Sequence, residues 1–132
     1  MARDGVGYIK EELKKDPIDL LYETGLTDAS HLILAHGVWF PQNRLQEIAR
    51  DNVTVVHNPS SNLKLGSGFA PVSQMIERGV NVALGSDGAA SNNRLDLWLE
   101  MRTASLIQKG YYRDPTLIKS KDAIKMATYS GH

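Results

Sequence analysis

The sequence predicts an α/β protein with a parallel sheet. Three short apolar runs of strand length carry that prediction: HLILAHG (His31 to Gly37), VTVVHN (Val53 to Asn58) and VNVALG (Val80 to Gly85). Each is followed by helix-start signals, and runs this apolar suit strands buried on both faces of a sheet wound by βα connections. No repeat or low-complexity segment interrupts the alternation.

The elements follow in order. Tyr8 to Lys15 and Ile18 to Thr24 read as helical, separated by Asp16-Pro17 and closed by Gly25 in the position helix ends favour. After the first strand, Pro41 fits a first helical turn, and that helix runs to about Asp51. The second strand, rich in β-branched residues, leads into NPSSNLKLGSG, whose turn formers predict a long loop from Asn58 to Gly68. Pro71 opens a helix that Gly79 closes. After the third strand, Asn92 or Asn93 is placed to cap the longest helix, with Leu95, Leu99, Ala104 and Leu106 near helical spacing and Gly110 as its stop. Ser120 is placed to cap a last helix from about Lys121 to Tyr129.

Composition narrows the function classes. The chain has 132 residues, 42% of them hydrophobic, enough for one domain with its own core. Fifteen basic residues balance fifteen acidic ones, so no global field draws nucleic acid or an anionic membrane, and a small, roughly neutral ligand fits better. Without cysteine there is neither a disulfide framework nor a thiolate metal site, which suits the cytoplasm. No run approaches the roughly 20 apolar residues of a membrane span, and the start, MARDGVGYIKEELKKD, lacks the apolar centre of a signal peptide. The glycines of GSGF and GSDG do not form a P-loop, because no GK[ST] follows. Lys109, Tyr111, Tyr112 and Arg113 read as a solvated helix end, and Trp39, Phe40 and Trp98 as packing residues, with Trp39 and Phe40 close enough to His36 to line a pocket mouth.

Each strand ends on a group capable of chemistry: His36, His57 and Asp87. Ligands of parallel α/β folds bind outside the carboxyl ends of the strands, so these side chains are candidates for one pocket. A lone histidine there is commonly structural, and an aspartate before glycine is commonly a turn residue; their coincidence is the signal. Imidazole and carboxylate are the ligand types that suit zinc or iron in a cysteine-free site, and with a metal-activated water they make a hydrolytic set. No HxH or HExxH pair occurs to anchor a metal.

At LILAHGVWF, VVHNPSSNLKLGSGFAPV and VNVALGSDGAASNNRLDLWLEMR the chain resembles the amidohydrolase superfamily, in its cytosine-deaminase-like branch. The nearest subgroup is the 5-methylthioadenosine/S-adenosylhomocysteine deaminases, with triazine chlorohydrolases and guanine deaminase as neighbours. The resemblance implies a partial (β/α)8 barrel made of the sixth to eighth strands with their helices, residues 1–132 forming a single piece of that domain. It assigns His36 as catalytic and His57, Asn58 and Ser91 as substrate-binding. Asp87 is implied as both metal ligand and proton acceptor, and Asn62, Asn92 and Asn93 as shaping the loops and the next helix. It implies Zn2+ or Fe2+ in the full-length enzyme and attack of metal-bound hydroxide on the amino-bearing carbon of an adenosine-type thioether or related N-heterocycle, releasing ammonia. A triazine-type chlorohydrolase or a guanine deaminase is the alternative substrate class.

The chain departs from the family pattern at Gly37, where many relatives have cysteine, and at Ser86, where many have threonine. The HxH pair of the first barrel strand, and the fifth-strand histidine with a glutamate three residues later, have no counterpart. By itself the chain is therefore expected to hold no ion tightly, to be inactive, and to self-associate through exposed barrel edges. The alternative of another class is a non-catalytic α/β piece whose site residues are relics.

Overall fold

The computed structural model describes residues 14–131. The predicted helix from Tyr8 to Lys15 lies outside the described residues except for Lys14 and Lys15, which are not helical. Helix α1 (Pro17–Glu23) starts where the sequence places it: the Asp16 carboxylate accepts from the Ile18 and Asp19 amides, and the Asp19 side chain accepts from the Asp16 amide. Gly25 follows with φ +72°, the left-handed turn that ends a helix cheaply only at glycine.

Strands β1 (Leu32–Ala35), β2 (Val53–His57) and β3 (Asn81–Leu84) form one parallel sheet in the order β1-β2-β3. Leu32, Leu34, Val53, Val55, Val82 and Leu84 alternate onto one face and join the hydrophobic core with Ile18, Leu45, Ile48, Met75, Ala104 and Met126. The opposite face is not covered evenly. Ile33, the neighbour of Thr54 in the sheet, is 72% exposed, so burial on both faces holds for β3 and fails for β1.

Other expectations are corrected. The segment from Gln42 to Ile48 is 3-10 rather than α-helical, with Pro41 preceding it; Arg44 ties it to the start of α1 by bonds to Asp16 and Asp19, and Glu47 in the same segment holds the guanidinium. The loop from Asn58 to Gly68 contains helix α2 (Pro59–Lys64). Proline at its first position is preorganised for a helix. Ser61 and Asn62, residues that usually compete with the helical backbone, are engaged elsewhere by their side chains. After α3 (Val72–Glu77), the longest helix α4 (Leu97–Tyr112) is capped by Asp96, which accepts from Trp98 and Leu99, and it runs through Gly110 to a left-handed Arg113. Its buried stripe is Glu100, Ala104 and Gln108; Leu95 and Leu106 are exposed, as is Trp98 at 79%. The last helix, α5 (Ser120–Ala127), begins one residue early, Asp122 accepting from the Lys119 amide. Lys109 is not a solvated helix end: its ammonium donates to Ser105 Oγ and the carbonyls of Leu117 and Ile118. Among the described residues no helix is long and apolar enough to cross a membrane.

Two glycines are dictated by close approach. A Cβ at Gly37, where φ is +61°, would lie 2.9 Å from Val55 Cγ1 and 3.0 Å from Met75 Cε, which is why this packing takes glycine there. At Gly85 a Cβ would lie 2.5 Å from Asn58 Oδ1 and 2.8 Å from Val56 Cγ1. Gly85→Ala is therefore expected to destabilise the chain by about 1–3 kcal/mol through overpacking. Urea unfolding checks this as a lowered midpoint at unchanged slope.

Candidate active site

The carboxyl ends of the three strands bring the predicted residues to one rim. His36 directly follows β1, its amide donating to Val56 O at 2.8 Å. His57 is the last residue of β2, and Asp87 lies three residues beyond β3. Both His36 (φ +69°) and Asp87 (φ +59°) occupy the left-handed region, a backbone state costing on the order of 1–3 kcal/mol for residues other than glycine. Such strain persists where surrounding bonds overdetermine it, and here they are explicit.

Asp87 Oδ2 accepts from Ser61 Oγ at 2.6 Å and from Ser91 Oγ at 2.8 Å. The Ser61 hydroxyl first, then the Ser91 hydroxyl and the Gly88 N–H, hold its carboxyl down to about 2. Asp87 is thus ionised throughout the physiological range. His36 Nδ1 lies 2.8 Å from Asn62 Oδ1, which fixes the ring and places the proton of the neutral form on Nδ1. The free Nε2 faces Asp87 Oδ2 at 3.8 Å, beyond hydrogen-bond length but within ion-pair range. His36 Nε2 and Asp87 Oδ2 therefore address the same space.

His57 differs. It ends the core-facing row of Val53 and Val55, is only 2% exposed, and neither ring nitrogen has a protein hydrogen-bond partner. Burial first, then the nearby His36, push its imidazole down to about 4, so it is neutral at pH 7. Asn62 Nδ2 is also buried without a partner. Asn58, 3% exposed, donates weakly to Val56 O and packs against Gly85. Asn92 donates to Ser86 O and Glu100, and Asn93 Oδ1 accepts from Lys64.

The sequence groups His36, His57 and Asp87, with Asn58 and Ser91; the structure brings His36, Asp87 and Ser91 to one rim with His57 and Asn58 buried, and adds Ser61 and Glu100, which the sequence reading missed. Ser61 was legible only if Pro59 after a strand end was read as the start of a helix whose first turn faces the rim. Glu100 was legible only as a carboxylate in phase with Ala104 and Gln108. Among the described residues no group of three or more His, Cys, Asp or Glu could hold a metal ion. A catalytic zinc needs about three protein ligands. Asp87, ionised and partly exposed, fits as one ligand, and the described residues do not complete a set.

The amidohydrolase family profile matches residues 5–132. The chain belongs to the amidohydrolase family. It is 47% identical over 130 residues to a 5-methylthioadenosine/S-adenosylhomocysteine deaminase of Pyrococcus abyssi, covering 98% of this chain and 30% of that protein. Among solved structures, an adenosine deaminase from Xanthomonas campestris with bound zinc superposes with TM-score 0.86 at 35% identity, over 96% of this chain and 28% of that one. A guanine deaminase from C. acetobutylicum with bound guanine superposes with TM-score 0.82 at 29% identity, over 97% of this chain and 32% of that one. The chain thus spans about a third of the length of the relatives it matches, and these amidohydrolases include zinc-bound members.

Proposed function

We propose that residues 1–132 supply the sixth to eighth strands, with their helices, of a (β/α)8 barrel in a divalent-metal-dependent aminohydrolase. Its substrate in this reading is an adenosine-type thioether or a closely related aminopurine nucleoside. One observation carries the reading: an ionised, strained aspartate held by two serine hydroxyls beside a fixed histidine, at the carboxyl rim of a parallel sheet, in a chain this similar to a deaminase.

The reaction replaces an amino group by oxygen: a C–O bond to water forms, the C–N bond breaks, and ammonia leaves. Zinc or ferrous iron, when bound, supplies an acidified water and a Lewis acid. Asp87 would be one of its ligands. Asp87, ionised and so free of a proton, would take up the one that water gives up and pass it on to the departing amine. His36, held by Asn62, keeps Nε2 directed at the same space. His57 remains neutral; in this reading its ring and Asn62 Nδ2, both buried without a protein partner, form the floor beneath the bound purine. Asn58 and Ser91 border the same rim and complete the substrate-binding set.

The chain by itself is expected to bind no stoichiometric metal and to release no ammonia. It should self-associate through the open edge of β1 and the uncovered face on which Ile33 is exposed, and size-exclusion chromatography with light scattering reads that directly. A cytoplasmic location completes this reading. The decisive experiment replaces the matching segment of the Pyrococcus abyssi relative with residues 1–132 of this chain and measures ammonia release from 5-methylthioadenosine, S-adenosylhomocysteine and guanine. Turnover with the thioethers is expected. A folded, zinc-loaded chimera that releases no ammonia from any of them would overturn the proposal and leave the non-catalytic reading.

A further inference from the structure

The buried stripe of α4 is unusual in carrying a carboxylate. Glu100 is 0% exposed, and both of its oxygens are used across the chain. Oε2 accepts from the Ser60 amide at 3.1 Å, and Oε1 accepts from Asn92 Nδ2 at 2.8 Å. The residues it grips each adjoin a serine that holds Asp87: Ser60 precedes Ser61, and Asn92 follows Ser91. Asn92 Nδ2 also donates to Ser86 O at 2.9 Å, the carbonyl immediately before Asp87, and its Oδ1 accepts from the Arg94 amide at 3.1 Å.

We propose that Glu100 is the positioning residue of this site, clamping the first turn of α2 to the 86–92 loop so that Ser61 and Ser91 converge on one carboxylate oxygen of Asp87. It touches neither Asp87 nor the substrate space; it acts through its two neighbours. The inference rests on the reading of Asp87 as the proton-accepting group of the site, and it explains why a buried stripe that could have been apolar carries a carboxyl group. Burying an acceptor with this capacity costs free energy unless each oxygen is satisfied by a donor. The donors it has are the ones that lock two otherwise separate segments.

Glu100→Gln keeps the shape and removes one acceptor. If the remaining carbonyl keeps the Ser60 amide, the new amino group faces the amino group of Asn92. Asn92 escapes that clash only by flipping, which breaks its bonds to Ser86 and Arg94. The readout is the Ser61 hydroxyl proton, which is buried and bonded to Asp87, followed by NMR in the full chain together with the Ser60 amide. In E100Q both are expected to exchange with solvent about tenfold faster, the effect of one hydrogen bond lost.

Gln108→Ala serves as the control. Gln108 is equally buried on α4 but bonds to Ser73 and Ala70, away from Asp87, and its loss should leave the Ser61 hydroxyl unchanged. If E100Q does not fold, Asn92→Ser removes the same link from the other side and gives the same readout. A Ser61 hydroxyl that stays protected in E100Q, or that Q108A exposes equally, overturns the proposal. An inert chimera would sink the deaminase reading without altering these exchange rates, so the two failures are separable.

Discussion

Replacing Asp87 with asparagine in the chimera is expected to lower kcat for ammonia release by on the order of a thousandfold while leaving the fold intact. The size follows from the role. A positioned proton acceptor contributes roughly a hundredfold to ten-thousandfold, and the neutral amide can neither take the proton nor bind a divalent ion as tightly. The fold survives because the asparagine oxygen still accepts from Ser61 and Ser91, the two bonds that hold the strained backbone at this position. Thermal unfolding of the same variant separates the two effects. Lost turnover at a nearly unchanged melting temperature supports the assignment, whereas full activity in D87N would remove Asp87 from the chemistry.

Acidification is expected to destabilise the chain through His57 by about 3 kcal/mol, complete by pH 4. In the unfolded chain this imidazole titrates near 6.5, and in the folded chain near 4, chiefly because burial penalises its charged form. Above pH 6.5 neither state holds the proton, and the full stability is present. Between the two values only the unfolded chain takes it up, so stability falls as pH falls. Below 4 both states are protonated and the loss is complete. Urea unfolding of the wild type and His57→Gln across this range isolates the contribution: the two curves of stability against pH should converge on acidification, and parallel curves would contradict the assigned environment. Asp87 acts in a lower window, losing its contribution only as pH falls from its ordinary value of 3.8 to about 2.

The three strands, their order and the residues at their ends were legible because apolar runs of β-branched residues and the topology of parallel sheets leave few alternatives. The register of polar side chains was less legible, for a physical reason. NPSSN is rich in residues that favour turns, and nothing local reveals that Ser61 and Asn62 spend their hydrogen bonds on Asp87 and His36, which frees the backbone to form a helix. The cap of α4 went to Asp96 because Asn92 is committed to Ser86 and Glu100, a tertiary demand that overrides cap preference. Leu95, Trp98 and Leu106 read as core residues on apolarity alone, yet the stripe that α4 buries is Glu100, Ala104 and Gln108. Apolar periodicity found the helix and misjudged its inward face.

The most direct test is a zinc-loaded crystal structure of the chimera, with the ion located by anomalous scattering. The account predicts zinc about 2.0–2.2 Å from a carboxylate oxygen of Asp87, with Ser61 and Ser91 still bonded to that side chain and His36 Nε2 facing the same space. An ion bound elsewhere, or His36 and Asp87 turned apart, would contradict it.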